Sequence, residues 1–150
     1  MRIALFQPDI PQNTGNIFRL GACLGLEIDI IEPTGYIFDD KRFRRSSMDY
    51  IKYIKYKRHL DWDTFLNWSK KNNYRIILLT TKSHNKYTNY LFQNNDILLF
   101  GRESAGVPQF VHNAASQQLT IPMVKGMRSL NVSSSVALVV GEACRQLKIL

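Results

Sequence analysis

Cysteine is scarce in this chain. Its 150 residues include two, Cys23 and Cys144. They lie far apart, each inside a helical pattern, which argues against a disulfide framework or a metal site and for free thiols in a reducing compartment. No window approaches the unbroken apolar run that a membrane helix needs. The opening Met1-Arg2-Ile3-Ala4-Leu5-Phe6-Gln7-Pro8 is too short for a signal peptide and has no small-residue cleavage site, so it reads as a first strand. A cytoplasmic protein with no membrane and no metal partner is the expectation. A G-x-G-x-x-G after the first strand is lacking, which removes the dinucleotide fingerprint, and Val107-Pro108 stands where a P-loop needs Lys-Ser/Thr. Internal repeats, low-complexity tracts and dividing linkers are missing as well, so residues 1–150 read as a single domain large enough for a proper core.

What is present in excess is local positive charge. The formal net charge is +8. Between Lys41 and Arg58 stand eight basic residues against one acid, Asp49, with Phe43, Tyr50, Tyr53 and Tyr56 interleaved. A concentrated basic patch with aromatics suits a phosphate backbone and unstacked bases. A solvated loop whose tyrosines pack down is the alternative reading of the same residues.

Five short apolar runs read as strands covered on both faces: Arg2–Gln7, Ile28–Glu32, Arg75–Thr80, Ile97–Phe100 and Leu119–Met123. Helical patterns alternate with them near Asn16–Leu24, Trp62–Lys71, Pro108–Ala115 and Val132–Lys148, with Asp61 as an N-cap and Pro108 at a first helical position. This alternation predicts an α/β fold, a parallel sheet with flanking helices, whose ligands sit beyond the C-terminal strand ends. Three polar turns occur there. The first runs from Pro8 to Arg19, where Asn13 or Thr14 can cap the next helix. The second is Gly101-Arg-Glu-Ser-Ala-Gly106. The third, Lys125–Asn131, ends on an asparagine placed to cap a helix whose Val132, Val136, Val139, Val140, Ala143 and Leu147 form one apolar stripe.

Taken together, Ile10–Leu20, Asp39–Ser46 with Asp49-Tyr50, Leu79–Lys82, Phe100–Gly106 and Ile121–Met123 with Arg128–Ser133 resemble the SPOUT superfamily of knotted RNA methyltransferases. Within it, the likeness is to the TrmL (YibK) type, small tRNA wobble-nucleotide 2′-O-methyltransferases, and it covers essentially the whole chain. The resemblance implies a C-terminal deep trefoil knot, S-adenosyl-L-methionine as cofactor, and a homodimer that completes the active site across its interface. The implied substrate is the wobble ribose 2′-hydroxyl of leucine tRNAs, with the anticodon stem-loop gripped by the basic segment through Lys41, Arg42, Arg44, Arg45 and Tyr50. Carried over residue by residue, Leu79, Gly101, Ile121 and Ser129 would contact the cofactor, and Thr80, Met123 and Leu130 would wall its pocket. Arg19, Glu103, Ser129 and Asn131 would serve the chemistry. The chain departs from the resembled pattern, in which many members carry proline and threonine at the positions of Arg102 and Ser104, and asparagine at that of Ser134.

A ribose hydroxyl is a very weak acid, and none of His59, His84 and His112 lies in the three turns, so a histidine base is not expected. Arginine holds its proton, with a pKa above about 12. Arg19 is therefore expected to clamp a substrate phosphate and stabilise the developing alkoxide, with a phosphate oxygen or Glu103 accepting the proton. An rRNA methyltransferase of the same superfamily, and a non-catalytic RNA-binding protein on this fold, are the alternatives.

Overall fold

The computed structural model describes residues 1–39 and 48–149. Among them, β1 (Arg2–Phe6), β2 (Glu27–Ile31), β3 (Tyr56–His59), β4 (Arg75–Leu79), β5 (Asp96–Phe100) and β6 (Gln117–Leu119) form a single sheet. Every pairing is parallel, in the order β3-β2-β1-β5-β4-β6. Strand side chains alternate between faces, so the runs of β1 and β5, buried at every position, feed two cores. On one face Ile3, Leu5, Ile28, Ile30, Leu98 and Phe100 meet helices α1 (Pro11–Leu24) and α4 (Val132–Leu147) through Ile17, Phe18, Val136, Val139, Val140 and Ala143. On the other, Ala4, Phe6, Ile76, Leu78, Ile97 and Leu99 meet α2 (Trp62–Lys71) and α3 (Gln109–Ala114) through Trp62, Phe65 and Val111. Each of the Val, Leu, Ile and Phe side chains among them contributes about 1.5–3 kcal/mol by leaving water.

A buried carboxylate interrupts the sheet mid-strand. Asp29, in the middle of β2, is fully buried; its Oδ2 accepts from Arg2 Nε at 2.7 Å and its Oδ1 from Arg2 Nη2 at 3.2 Å, with His59 Nε2 also 2.8 Å from Oδ1. Arg2 also bonds Glu27, and its guanidinium lies 5.0 Å from the Trp68 ring centroid. Three neighbouring strands are thus cross-tied through one carboxylate.

The structure departs from the sequence reading at several elements. Tyr56–His59, read only as part of the basic patch, is an edge strand on β2. Helix α1 begins at Pro11, not near Asn16. Its N-cap Ile10 makes no side-chain cap bond, so Asn13 and Thr14 do not cap but sit buried in the first turn. The proline at a first helical position is Pro11, whereas Pro108 is the N-cap of α3. Finally, β6 ends at Leu119 because its partner β4 ends opposite it at Leu79. Thr120 then pairs outside the sheet, donating to Asn85 O at 2.7 Å and accepting from Tyr87 N at 3.0 Å.

Replacing Asp29 by alanine leaves Arg2 and His59 buried without their shared partner. The expected loss of unfolding free energy is about 3–5 kcal/mol, read from urea titrations of the two proteins.

Candidate functional site

Strand order reverses beside β1 and β5, and the turns that leave the sheet there meet at its C-terminal rim. The turn after β5 is pinched shut by Arg102 N donating to Gly106 O at 3.1 Å and Gly106 N donating to Arg102 O at 2.9 Å. A Cβ on Gly101 would stand 2.7 Å from the Gly106 carbonyl carbon, and Gly106 itself has φ +64°. Both glycines are therefore required by the closure.

This turn is fastened to the turn after β1 by a reciprocal clasp. Asp9 N donates to Glu103 Oε2 at 3.0 Å, Glu103 N donates to Asp9 Oδ1 at 3.1 Å, and the Ser104 hydroxyl donates to Asp9 Oδ2. The other carboxylate oxygen of Glu103 accepts from Asn13 Nδ2 at 2.9 Å, and Asn13 Oδ1 accepts from Asn131 Nδ2 at 3.0 Å. Asn131 is the N-cap of α4, as its spacing predicts, and its side-chain Oδ1 accepts from Ser133 N at 2.8 Å and Ser134 N at 3.3 Å. A continuous relay of hydrogen bonds thus joins all three turns. Behind it, the buried Thr14 accepts from Tyr36 Oη at 2.7 Å, and burial pushes the Tyr36 phenol up to about 12.

The turns enclose a cleft of about 520 Å³. Leu79, Thr80, Gly101, Ile121, Met123, Ser129 and Leu130 all border it, together with Glu103, Asn13 and Asn131. Lys82 and Arg102 are its cations, and Arg102 is engaged with the Gln7 side chain and lies 5.7 Å from the Phe6 ring centroid. With so little positive charge and with walls of Leu79, Ile121, Leu130 and Val132, the cleft suits a base or other flat apolar group better than a polyphosphate.

Arg19 is not among the described residues that line this cleft. It is exposed midway along α1, past the helix start where the sequence reading put it, with its guanidinium 5.0 Å from the Tyr50 ring centroid. Lys41, Arg42, Arg44 and Arg45 lie outside the described residues. His112 lies outside the three turns, as the sequence has it, but not away from the cleft. Helix α3 follows the 101–106 turn so closely that His112 joins the cleft wall, buried, with Nδ1 2.9 Å from Gln118 Oε1. Sequence reasoning also passed over Asp9 and took Asn13 only as a cap. The one available signal was a cluster of short polar side chains at a strand end.

A model of the SpoU rRNA Methylase family matches residues 1–141. The chain belongs to this family. Among its SpoU relatives, a Beijerinckia indica protein named tRNA (cytidine(34)-2′-O)-methyltransferase is 49% identical over 144 residues, spanning 96% of this chain and 90% of that one. The protein of the same name from Escherichia coli K12 is 44% identical, spanning 98% and 94%. A solved structure concerned with 2-OH methylation of C/U34 on tRNA superposes with a TM-score of 0.91 at 33% identity, covering 98% of this chain and 95% of its own. The SpoU methyltransferase AviRb from Streptomyces viridochromogenes, solved with AdoMet, shares the fold at a TM-score of 0.88 and 20% identity, covering 99% of this chain and 60% of its own.

The clasp has a pH signature. Hydrogen bonding with Glu103 first, then with the Ser104 hydroxyl, holds the Asp9 carboxyl below its usual range. A depressed folded pKa gives stability that is present above the unfolded value of about 3.9 and lost as pH falls through the folded one. The stability advantage of the wild type over Asp9→Asn should therefore be largest near neutrality and shrink under acid, in urea titrations across pH. A pH-independent difference would mean that the charged clasp does not form in solution.

Proposed function

We propose that this chain transfers a methyl group from S-adenosylmethionine to the ribose 2′-hydroxyl of the wobble nucleotide, cytidine or uridine 34, of leucine tRNAs. The observation that carries the reading is the cleft, where three turns distant in sequence border one apolar-walled space beside a polar relay. High identity along nearly whole chains to proteins named for this reaction supports the same reading.

The donor set fits the cofactor. Leu79, Gly101, Ile121 and Ser129 would hold it, mostly through the backbone, with Thr80, Met123 and Leu130 as walls, and the tight 101–106 turn supplies main chain that no side chain obstructs. When bound, S-adenosylmethionine supplies a methyl group on a positively charged sulfur, already activated for in-line displacement. The protein's task is then to align the acceptor oxygen and to manage charge. Arg19 clamps the substrate phosphate and stabilises the developing alkoxide. Asn131 and Ser129 orient the ribose at the start of α4, where the helix N-terminus offers positive potential. Glu103 already accepts two N–H bonds, one on each oxygen. Taking a proton would weaken that fastening, so a phosphate oxygen of the RNA is the better acceptor and Glu103 a loop anchor.

The reading extends to a homodimer in the cytoplasm, each cleft completed across the interface. What supports it is Arg19's position outside its own chain's cleft wall. It extends also to a C-terminal deep trefoil knot. In support, the chain leaves edge strand β6 and returns to the middle of the sheet, where α4 packs on β5 and α1.

Methylation of purified tRNAs and rRNA with labelled cofactor, followed by nucleoside analysis, is the direct test; 2′-O-methylation confined to rRNA would replace this substrate with the alternative. Arg19→Ala is expected to lower turnover by about a hundred- to a thousand-fold while calorimetric affinity for S-adenosylmethionine stays nearly intact. Parallel loss of affinity and rate would refute the assigned role. Affinity for tRNA should fall with salt, with a log–log slope of about −0.7 to −0.9 for each phosphate neutralised, whereas a flat profile in filter-binding assays would take the basic segment out of the interface.

A further inference from the structure

Tyr50 stands on the 3₁₀ turn Met48–Tyr53, which packs against α1. At 38% exposure it is more covered than Tyr53 at 65%, and its ring faces the guanidinium of Arg19 at 5.0 Å. Among the described side chains no carboxylate pairs with Arg19. That choice of partner matters chemically. A carboxylate would occupy the guanidinium's N–H donors and neutralise its charge, whereas an aromatic ring takes only the planar face. The five donors, which lie in the plane, stay available to oxygen ligands. Tyr50 thus restrains a long side chain without consuming what makes it useful.

We infer that Tyr50 is a positioning residue for Arg19, its ring holding the guanidinium face so that the edge donors are presented to the substrate's phosphate and ribose oxygens. The inference rests on the catalytic reading of Arg19 proposed above. It differs from the expectation that Tyr50 contacts the RNA itself, because the contact seen is to the arginine. The 3₁₀ turn and the helix bearing Arg19 are joined by the same contact.

The test is steady-state methylation of tRNA by Tyr50→Phe and Tyr50→Leu, with thermal unfolding and S-adenosylmethionine calorimetry on both variants. Phenylalanine keeps the ring face and should keep kcat. Leucine keeps apolar bulk but not the quadrupole, and should lower kcat by between about two-fold and thirty-fold, the range a cation–π contact spans, with the KM for tRNA, the melting temperature and cofactor affinity unchanged. A Tyr50→Leu protein whose KM rises while kcat holds would mean base stacking on Tyr50 and would overturn the inference. So would an equal loss in Tyr50→Phe, which would assign the effect to the hydroxyl. Arg19→Ala separates the two levels. If it is inactive while Tyr50→Leu is normal, only the positioning role fails; if it turns over normally, the catalytic reading of Arg19 fails and the positioning role with it.

Discussion

Asn13 donates to Glu103 and accepts from Asn131, and through that one amide the turn after β1, the turn after β5 and the start of α4 are held at fixed separations. An amide side chain is suited to this place because it carries donor and acceptor on one carbon and can serve two partners at once. Asn13 is nearly buried, so leaving either end unmade would cost about 1–3 kcal/mol. No residue in the relay is in a strand, yet the sheet fixes all of them. Strands β1 and β5 pair directly, so the turns leaving their C-terminal ends start side by side. The core supplies the stability and the relay supplies the registration of loops that would otherwise move independently.

Much of this was legible in the chain. Alternating apolar runs and helical stripes identify a parallel sheet, and the Asn131 cap is local enough to read directly. The relay was not, because its bonds span 90 and 118 residues. Local pattern shows that Asn13 is a short polar residue near a helix start and says nothing of partners supplied by tertiary structure. Capping was the best local use for it, and a proline at Pro11 had already removed one of the amides that would need a cap. The same limit hid Asp9, whose partners Glu103 and Ser104 lie on a turn far along the chain.

The missed strand has a different cause. Tyr56-Lys57-Arg58-His59 carries three basic side chains in four positions, so hydrophobic periodicity is silent there. Yet Lys57 Nζ lies 4.6 Å from the Trp68 ring centroid, Arg58 donates to Glu32 at 2.6 Å, and the Tyr56 ring lies tilted against Phe18 with centroids 5.2 Å apart. Long cationic stems lie along aromatic surface while their charged ends reach water or a carboxylate. Basic residues on an outermost strand also deter edge-to-edge pairing.

That division of labour sharpens what the positive segment can do. Lys57 and Arg58 are committed to holding β3 in place, and Tyr56 is committed to the aromatic cluster over α1, so the charge density counted from Lys41 to Arg58 overstates what faces a partner. The cations before the 3₁₀ turn and Lys52 and Lys55 within and after it are left as the candidates for phosphate contact. β3 and the 3₁₀ turn, which lie on either side of Lys55, both pack against the helix that presents Asn13 to the cleft, through Tyr56–Phe18 and Tyr50–Arg19. That helix carries both the relay's central amide, Asn13, and Arg19.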